Sequence, residues 1–213
     1  MPRILVFGDS ISHGYYDKEK GGWTQRLNIF LTEKKLSNSE IDYPVYDLGI
    51  SGNTTEEILK RFETETKARF EEDKKPIIIF AIGINDSYFV ETKGSVEVSL
   101  DKFTENIQKI IDLAKNFSST IIFIGLTPVE EEKVNPMPWA PDKTWNNEII
   151  KKYNDTIKKI CKANEIYFIE IFEKLIVTNY RKLLEDGGHP NSKGHQKIYE
   201  IVRDFLLKNN LIK

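Results

Sequence analysis

Gly8-Asp9-Ser10 follows directly on the apolar run Arg3-Ile-Leu-Val-Phe7, so a serine hydroxyl stands at the end of a segment that reads as a buried strand. A serine in that position is a candidate nucleophile, although Gly-Asp-Ser is equally an ordinary turn sequence. Nucleophilic catalysis by serine needs a base in hydrogen-bond reach, a group that orients the base, and donors aimed at a developing oxyanion. Three further segments carry those residue types: Gly49-Ile-Ser-Gly52-Asn-Thr, Gly83-Ile-Asn85-Asp86 and Asp186-Gly-Gly-His189-Pro190.

Asp186 and His189 are three residues apart in a glycine-containing turn, whose ends approach within about 7 Å. A carboxylate there can hold one imidazole nitrogen while the other faces Ser10, and Pro190 biases His189 away from helical backbone angles. A polar turn that caps the last helix is the plainer alternative. Gly52 precedes a helix amino terminus, where amides are unpaired, and without a β-carbon it lets an oxygen approach the backbone. Asn85 can present a side-chain N–H to the same oxygen. Asp9 is a rival carboxylate, but neighbours on an extended segment point apart. His13 and the aromatics Tyr15, Tyr88 and Trp139 lie on loops at the same edge and are candidate pocket residues. Tyr16, Phe89, Met137 and Trp145 fall beside them. His195, one turn into the last helix, is expected to pack or cap.

These positions need a scaffold that gathers them. Short apolar runs at 3–8, 44–48, 76–82, 120–126 and 165–170 read as strands buried on both faces. They alternate with helical patterns at 21–36, 54–72, 99–116, 144–163 and 192–208, which predicts βαβ units and a parallel sheet. Thr54 with Glu57 forms a capping box, and Ser99 and Ser192 are candidate caps. The fold class expected is α/β: a three-layer α/β/α, flavodoxin-like domain spanning 1–213, with a central five-stranded parallel sheet. Its ligand crevice lies at the carboxyl ends of the strands, where all four segments emerge. Residues 127–143 form a connection longer than most in compact domains.

Lys plus Arg number 31 against 33 Asp plus Glu, and the net charge of −2 offers no global attraction to nucleic acid or an anionic membrane. One cysteine, Cys161, leaves no internal disulfide, and three histidines form no zinc-like spacing. The longest apolar stretch, Ile77 to Ile84, falls short of the ~20 residues of a membrane helix. The amino terminus runs straight into a strand, and the chain is read as cytoplasmic, with no integral membrane association, no metal and no cofactor. The oligomeric state stays open.

Taken together and in this order, the segments resemble the sequence blocks of the SGNH, or GDSL-type, hydrolase superfamily. Block one is Gly8-Asp9-Ser10 with Gly14; the glycine-rich, Asn85 and His189 segments match the others. Asp47 stands where the second block often has asparagine. The resemblance implies a serine esterase in which Ser10 is the nucleophile, His189 the base and Asp186 its orienting acid. It further implies an oxyanion hole made by Ser10, Gly52 and Asn85. The implied substrate is a small acyl ester of short or medium chain, with thioesters and O-acetyl groups included. An acyltransferase using the same acyl-enzyme and a non-catalytic binding module of the same fold are the alternatives. Neither a G-x-G-x-x-G nor a G-x-x-x-x-G-K-[ST] segment favours a nucleotide-binding protein.

Overall fold

The computed structural model describes all 213 residues. Strand β1 (Ile4–Gly8) leads through one-turn α1 (Ser10–His13) to α2 (Trp23–Ser37), β2 (Val45–Gly49), α3 (Thr55–Lys67) and β3 (Ile77–Ala81). Two-residue strands β4 (Phe89–Val90) and β5 (Ser95–Val96) come next, followed by α4 (Leu100–Lys115) and β6 (Thr120–Ile124). Short α5 (Glu131–Val134) and β7 (Lys143–Thr144) precede α6 (Asn147–Ala163). Then β8 (Tyr167–Ile169), α7 (Phe172–Ile176) and α8 (Ser192–Lys208) complete the order.

The main sheet has five parallel strands in the order β2-β1-β3-β6-β8. Alternation along each strand divides the core by face. Leu5, Phe7, Ile78, Phe80 and Phe123 point to the side covered by α3, α4 and α6. Ile4, Val6, Ile77, Ile79 and Ile122 point to the side covered by α2 and α8. Phe7, Phe80 and Phe123 form a ladder across three adjacent strands, with ring centroids 5.7 and 4.9 Å apart. Each ring is fully buried, worth about 2–3 kcal/mol of apolar transfer.

Strands β1, β2 and β3 end in register, with Gly8 opposite both Gly49 and Ala81. The residues just beyond each strand therefore leave the sheet along one edge. Glycine is required at Gly8 because a β-carbon would sit 1.9 Å from Ser12 Oγ and 2.6 Å from the Ala81 carbonyl oxygen. The chain can then fold back into α1 directly at the strand end.

Several expected boundaries are corrected. Strands 44–48 and 165–170 are the two sheet edges rather than strands covered on both faces, and Asp47 and Tyr167 are exposed. The helix expected over 54–72 stops at Lys67, and Phe70 packs on Phe117 from the following turn. The helix expected from 144 begins at Asn147, because Lys143 and Thr144 pair with β4. Asn191, not Ser192, caps α8; its side chain accepts from the Lys193 and Gly194 amides. Thr54 with Glu57, and Ser99, cap as expected. Strands β5, β4 and β7 form a small antiparallel sheet that the apolar pattern did not reveal. No helix is long and apolar enough to cross a membrane.

Candidate active site

Ser10 is the first residue of α1, and Asp9 is the N-cap, its Oδ1 accepting from the Ile11 amide at 2.9 Å. That capping turns the Asp9 carboxyl into the protein, where burial pushes it up to about 6 against the opposing Ile11 hydrogen bond. Ser10 is 6% exposed, and its Oγ lies 3.0 Å from His189 Nε2.

The Asp186–His189 turn closes on itself. Asp186 Oδ1 accepts from the Gly188 and His189 amides at 2.9 and 2.7 Å, and Oδ2 lies 2.8 Å from His189 Nδ1. An ionised carboxylate only accepts, so Nδ1 carries the proton and Nε2 offers its lone pair to the Ser10 hydroxyl. Burial pushes the Asp186 carboxyl up, but the His189 hydrogen bond and charge, with the two amides, outweigh it. The group is held below the ordinary carboxylate range. Residues 127–143 brace this turn: the Glu130 amide donates to the Gly187 carbonyl at 2.8 Å. Val129 and Asn147 exchange a pair of hydrogen bonds at 2.9 and 2.8 Å.

Gly52 has φ +81, a left-handed conformation that favours glycine, and a β-carbon there would meet nothing within 4 Å. Its N–H donates to no backbone or side-chain acceptor. Asn85 Nδ2 donates one hydrogen to the Asn53 carbonyl at 3.0 Å, which fixes the amide and leaves its second N–H for the cavity. Arg61 ties these parts together: Nε donates to Asn53 Oδ1 at 2.8 Å and Nη2 to the Gly8 carbonyl at 3.1 Å. Asp86 holds the start of α3, accepting from the Thr55 amide at 3.1 Å and from its hydroxyl at 2.5 Å.

Ser10, Gly52, Asn85, Asp186 and His189 border one open cavity of about 560 Å³. Tyr15, Tyr88 and Trp139 line it, together with Tyr16, Met137 and Trp145. Rings of Tyr15, Tyr16, Trp139 and Trp145 stand 5.4, 5.7, 5.4 and 6.1 Å from the His189 ring. The candidate pocket role of His13 is corrected: its side chain is 62% exposed, faces Asp47 of β2 at 3.9 Å and borders no part of the cavity. Phe89 is likewise outside, in β4. His195 is buried and bridges, its Nε2 donating to the Tyr15 carbonyl at 2.9 Å and Nδ1 accepting from the Trp23 amide at 3.3 Å. No group of three or more His, Cys, Asp and Glu side chains gathers in the chain. Arg61 and Lys143, which also borders the cavity, were not singled out from sequence, since one sits in an ordinary amphipathic helix and the other among balanced charges.

The arrangement can deprotonate a serine and hold an anionic oxygen beside it. A family model described as "GDSL-like Lipase/Acylhydrolase family" matches residues 6–197. Among curated proteins, an uncharacterized lipoprotein of Bacillus subtilis (strain 168) is 24% identical, covering 94% of this chain and 88% of its own length. The isoamyl acetate-hydrolyzing esterase of Saccharomyces cerevisiae is 26% identical over 97% of this chain and 84% of its own. Among solved structures, the lipase/acylhydrolase from Enterococcus faecalis superposes with a TM-score of 0.74 at 21% identity, covering 100% of this chain and 98% of that one. That likeness extends to the whole fold, including the parallel sheet and its flanking helices.

Proposed function

The chain belongs to the GDSL-like lipase/acylhydrolase family and is a carboxylic ester hydrolase, and from that premise we propose that Ser10 is its nucleophile, His189 its general base and Asp186 the acid that orients the base. The observation that carries this reading is the continuous line from Asp186 Oδ2 through His189 to Ser10 Oγ, with contacts of 2.8 and 3.0 Å, opening on the aromatic cavity.

In the proposed reaction Ser10 Oγ attacks the ester carbonyl carbon while its proton passes to His189 Nε2. Asp186 stabilises the imidazolium and keeps Nδ1 protonated. The carbonyl oxygen becomes an anion that accepts from the amides of Ser10 and Gly52 and from Asn85. Collapse breaks the bond to the alcohol, which leaves with the proton from Nε2, and an acyl group remains on Oγ. Water, deprotonated by His189, attacks the acyl carbon, releasing the acid and restoring Ser10. An oxyanion donor of this kind is worth about 10²–10³ in rate. The wall of tyrosines and tryptophans around His189 suits a short or medium acyl ester with an apolar part, in keeping with the acetate ester in the yeast relative's name.

Ser10→Ala tests the assignment. Hydrolysis of p-nitrophenyl acetate should fall by on the order of 10⁶ in kcat, and fluorophosphonate labelling should vanish. Labelling that persists in the variant would overturn it. The same reading takes the enzyme to be cytoplasmic, in keeping with its single, buried, unpaired thiol at Cys161; recovery of the activity in a membrane or secreted fraction would overturn that part.

A further inference from the structure

The cavity contains one cation with no anionic partner. Among the residues that border it, Asp186 supplies the one carboxylate and Lys143 the one ammonium. Asp186 is fully engaged, with Oδ1 taken by two amides and Oδ2 by His189. Lys143 is half-buried, and no carboxylate lies within ion-pairing distance of its Nζ. Lysines nearby behave differently: Lys93 reaches Glu97 at 2.5 Å and Lys133 reaches Glu130 at 3.0 Å.

Lys143 is also held in place. It lies in β7 opposite Val90, its N–H donates to the Ala140 carbonyl and its carbonyl accepts from the Met137 amide, both at 2.9 Å. Nζ donates to the Tyr88 hydroxyl at 3.0 Å and stands 4.4 Å from the centroid of that ring. An ammonium has three donors, and the phenol takes one. Covering Tyr88 needs only the methylene stem, which any long apolar side chain supplies. A charge kept unpaired beside aromatic walls, where the effective dielectric is low, attracts an anion more strongly than a surface lysine does.

We infer that Lys143 is a specificity-determining residue that receives an anionic group, carboxylate or phosphate, borne by the ester that Ser10 attacks. The inference rests on the proposed role of Ser10. The preferred substrates are then esters with a charged acyl or alcohol part rather than wholly neutral ones. The anion accepts hydrogen bonds from Nζ while the rest of the molecule packs on the aromatic side of the cavity.

Two matched pairs of esters test this and locate the charge. The acyl pair is mono-p-nitrophenyl glutarate against p-nitrophenyl pentanoate; the alcohol pair is the acetate ester of glycerol 3-phosphate against monoacetylglycerol. Wild type should favour the anionic member of at least one pair in kcat/KM. Lys143→Met should lower that anionic-to-neutral ratio about tenfold, the worth of one charge-assisted hydrogen bond. Added salt should lower the ratio in wild type and leave it flat in the variant. A ratio equal in wild type and variant for both pairs would overturn the inference, since a packing role lowers both members together. If the Met variant fails to fold, wild type alone decides, and preference for the neutral member of both pairs rejects the idea. Loss of p-nitrophenyl pentanoate turnover in Ser10→Ala is read separately, so failure of the nucleophile assignment is not mistaken for failure of the anion site.

Discussion

Asp186 makes three hydrogen bonds through two oxygens, and only one of them reaches the imidazole. Asp186→Asn keeps the two that shape the turn, because a side-chain carbonyl can still accept from both amides. It replaces the third acceptor by an N–H₂ donor, which stabilises the ring with its proton on the wrong nitrogen. The expected outcome in the proposed mechanism is a fall of roughly 10⁴ in kcat with KM little changed and no loss of thermal stability beyond about 1 kcal/mol. Steady-state kinetics beside a melting curve checks both parts. A large loss of stability with retained turnover would assign Asp186 to the fold instead. The residues in this line were legible in sequence because each stands at a glycine-marked turn, Ser10 directly after an apolar strand and Asp186 and His189 just before the last helix. Arg61 was not, although it spans Gly8 and Asn53, because its helix position is that of any solvent-facing arginine until the tertiary structure brings those two segments together. Lys143 was hidden for a similar reason: an unpaired charge is a property of the folded surroundings.

Longer elements were legible where their hydrophobic period runs for several turns, as in α4 and α6, and where a strand is apolar throughout, as in β1, β3 and β6. Two-residue strands have no period to read, so the β5-β4-β7 sheet, which presents Tyr88 and Lys143 to the cavity, was invisible. Helix α8 shows how an element far from the serine reaches the site. Its His195 joins the Tyr15 carbonyl to the Trp23 amide, and so fixes the segment whose rings stand over His189. His195→Ala leaves the buried Trp23 N–H and the part-buried Tyr15 carbonyl unpaired, which costs about 1–3 kcal/mol. Burial lowers the His195 pKa below its ordinary value of 6.5, so the unfolded imidazole takes up a proton first as pH falls. The stability that wild type draws from neutral His195 is therefore present above 6.5 and declines below it. Urea midpoints at pH 7.5 and 5 should show the gap between wild type and His195→Ala narrowing at the lower pH. A gap that widens would mean that the buried ring is stabilised in its charged form.

At the scale of the whole molecule, the tight convergence of β1, β2 and β3 that gathers Ser10, Gly52 and Asn85 also traps two carboxyls beneath them. Asp9 and Asp86 are 2% and 0% exposed, and burial pushes them up to about 6 and about 7, each hydrogen-bonded but with no cation to match it. Both groups keep a proton in the folded protein at pH values where the unfolded chain, with carboxyls near 3.8, has released it. Their contribution to stability is therefore complete below 3.8 and is lost as pH rises through 6 to 7, the reverse of the usual surface carboxylate. Asp86 is the group to substitute, since it touches no part of the Asp186–His189–Ser10 line and acts on the start of α3 through Thr55. In Asp86→Asn the side chain no longer titrates, so the pH dependence of stability flattens. From pH 5 to 8 the wild type should lose roughly 2–3 kcal/mol more than the variant, two units of displaced titration at about 1.4 kcal/mol each. Denaturant unfolding of both proteins at the two pH values measures the difference directly, and equal losses would mean that Asp86 is already ionised in the folded protein at pH 5.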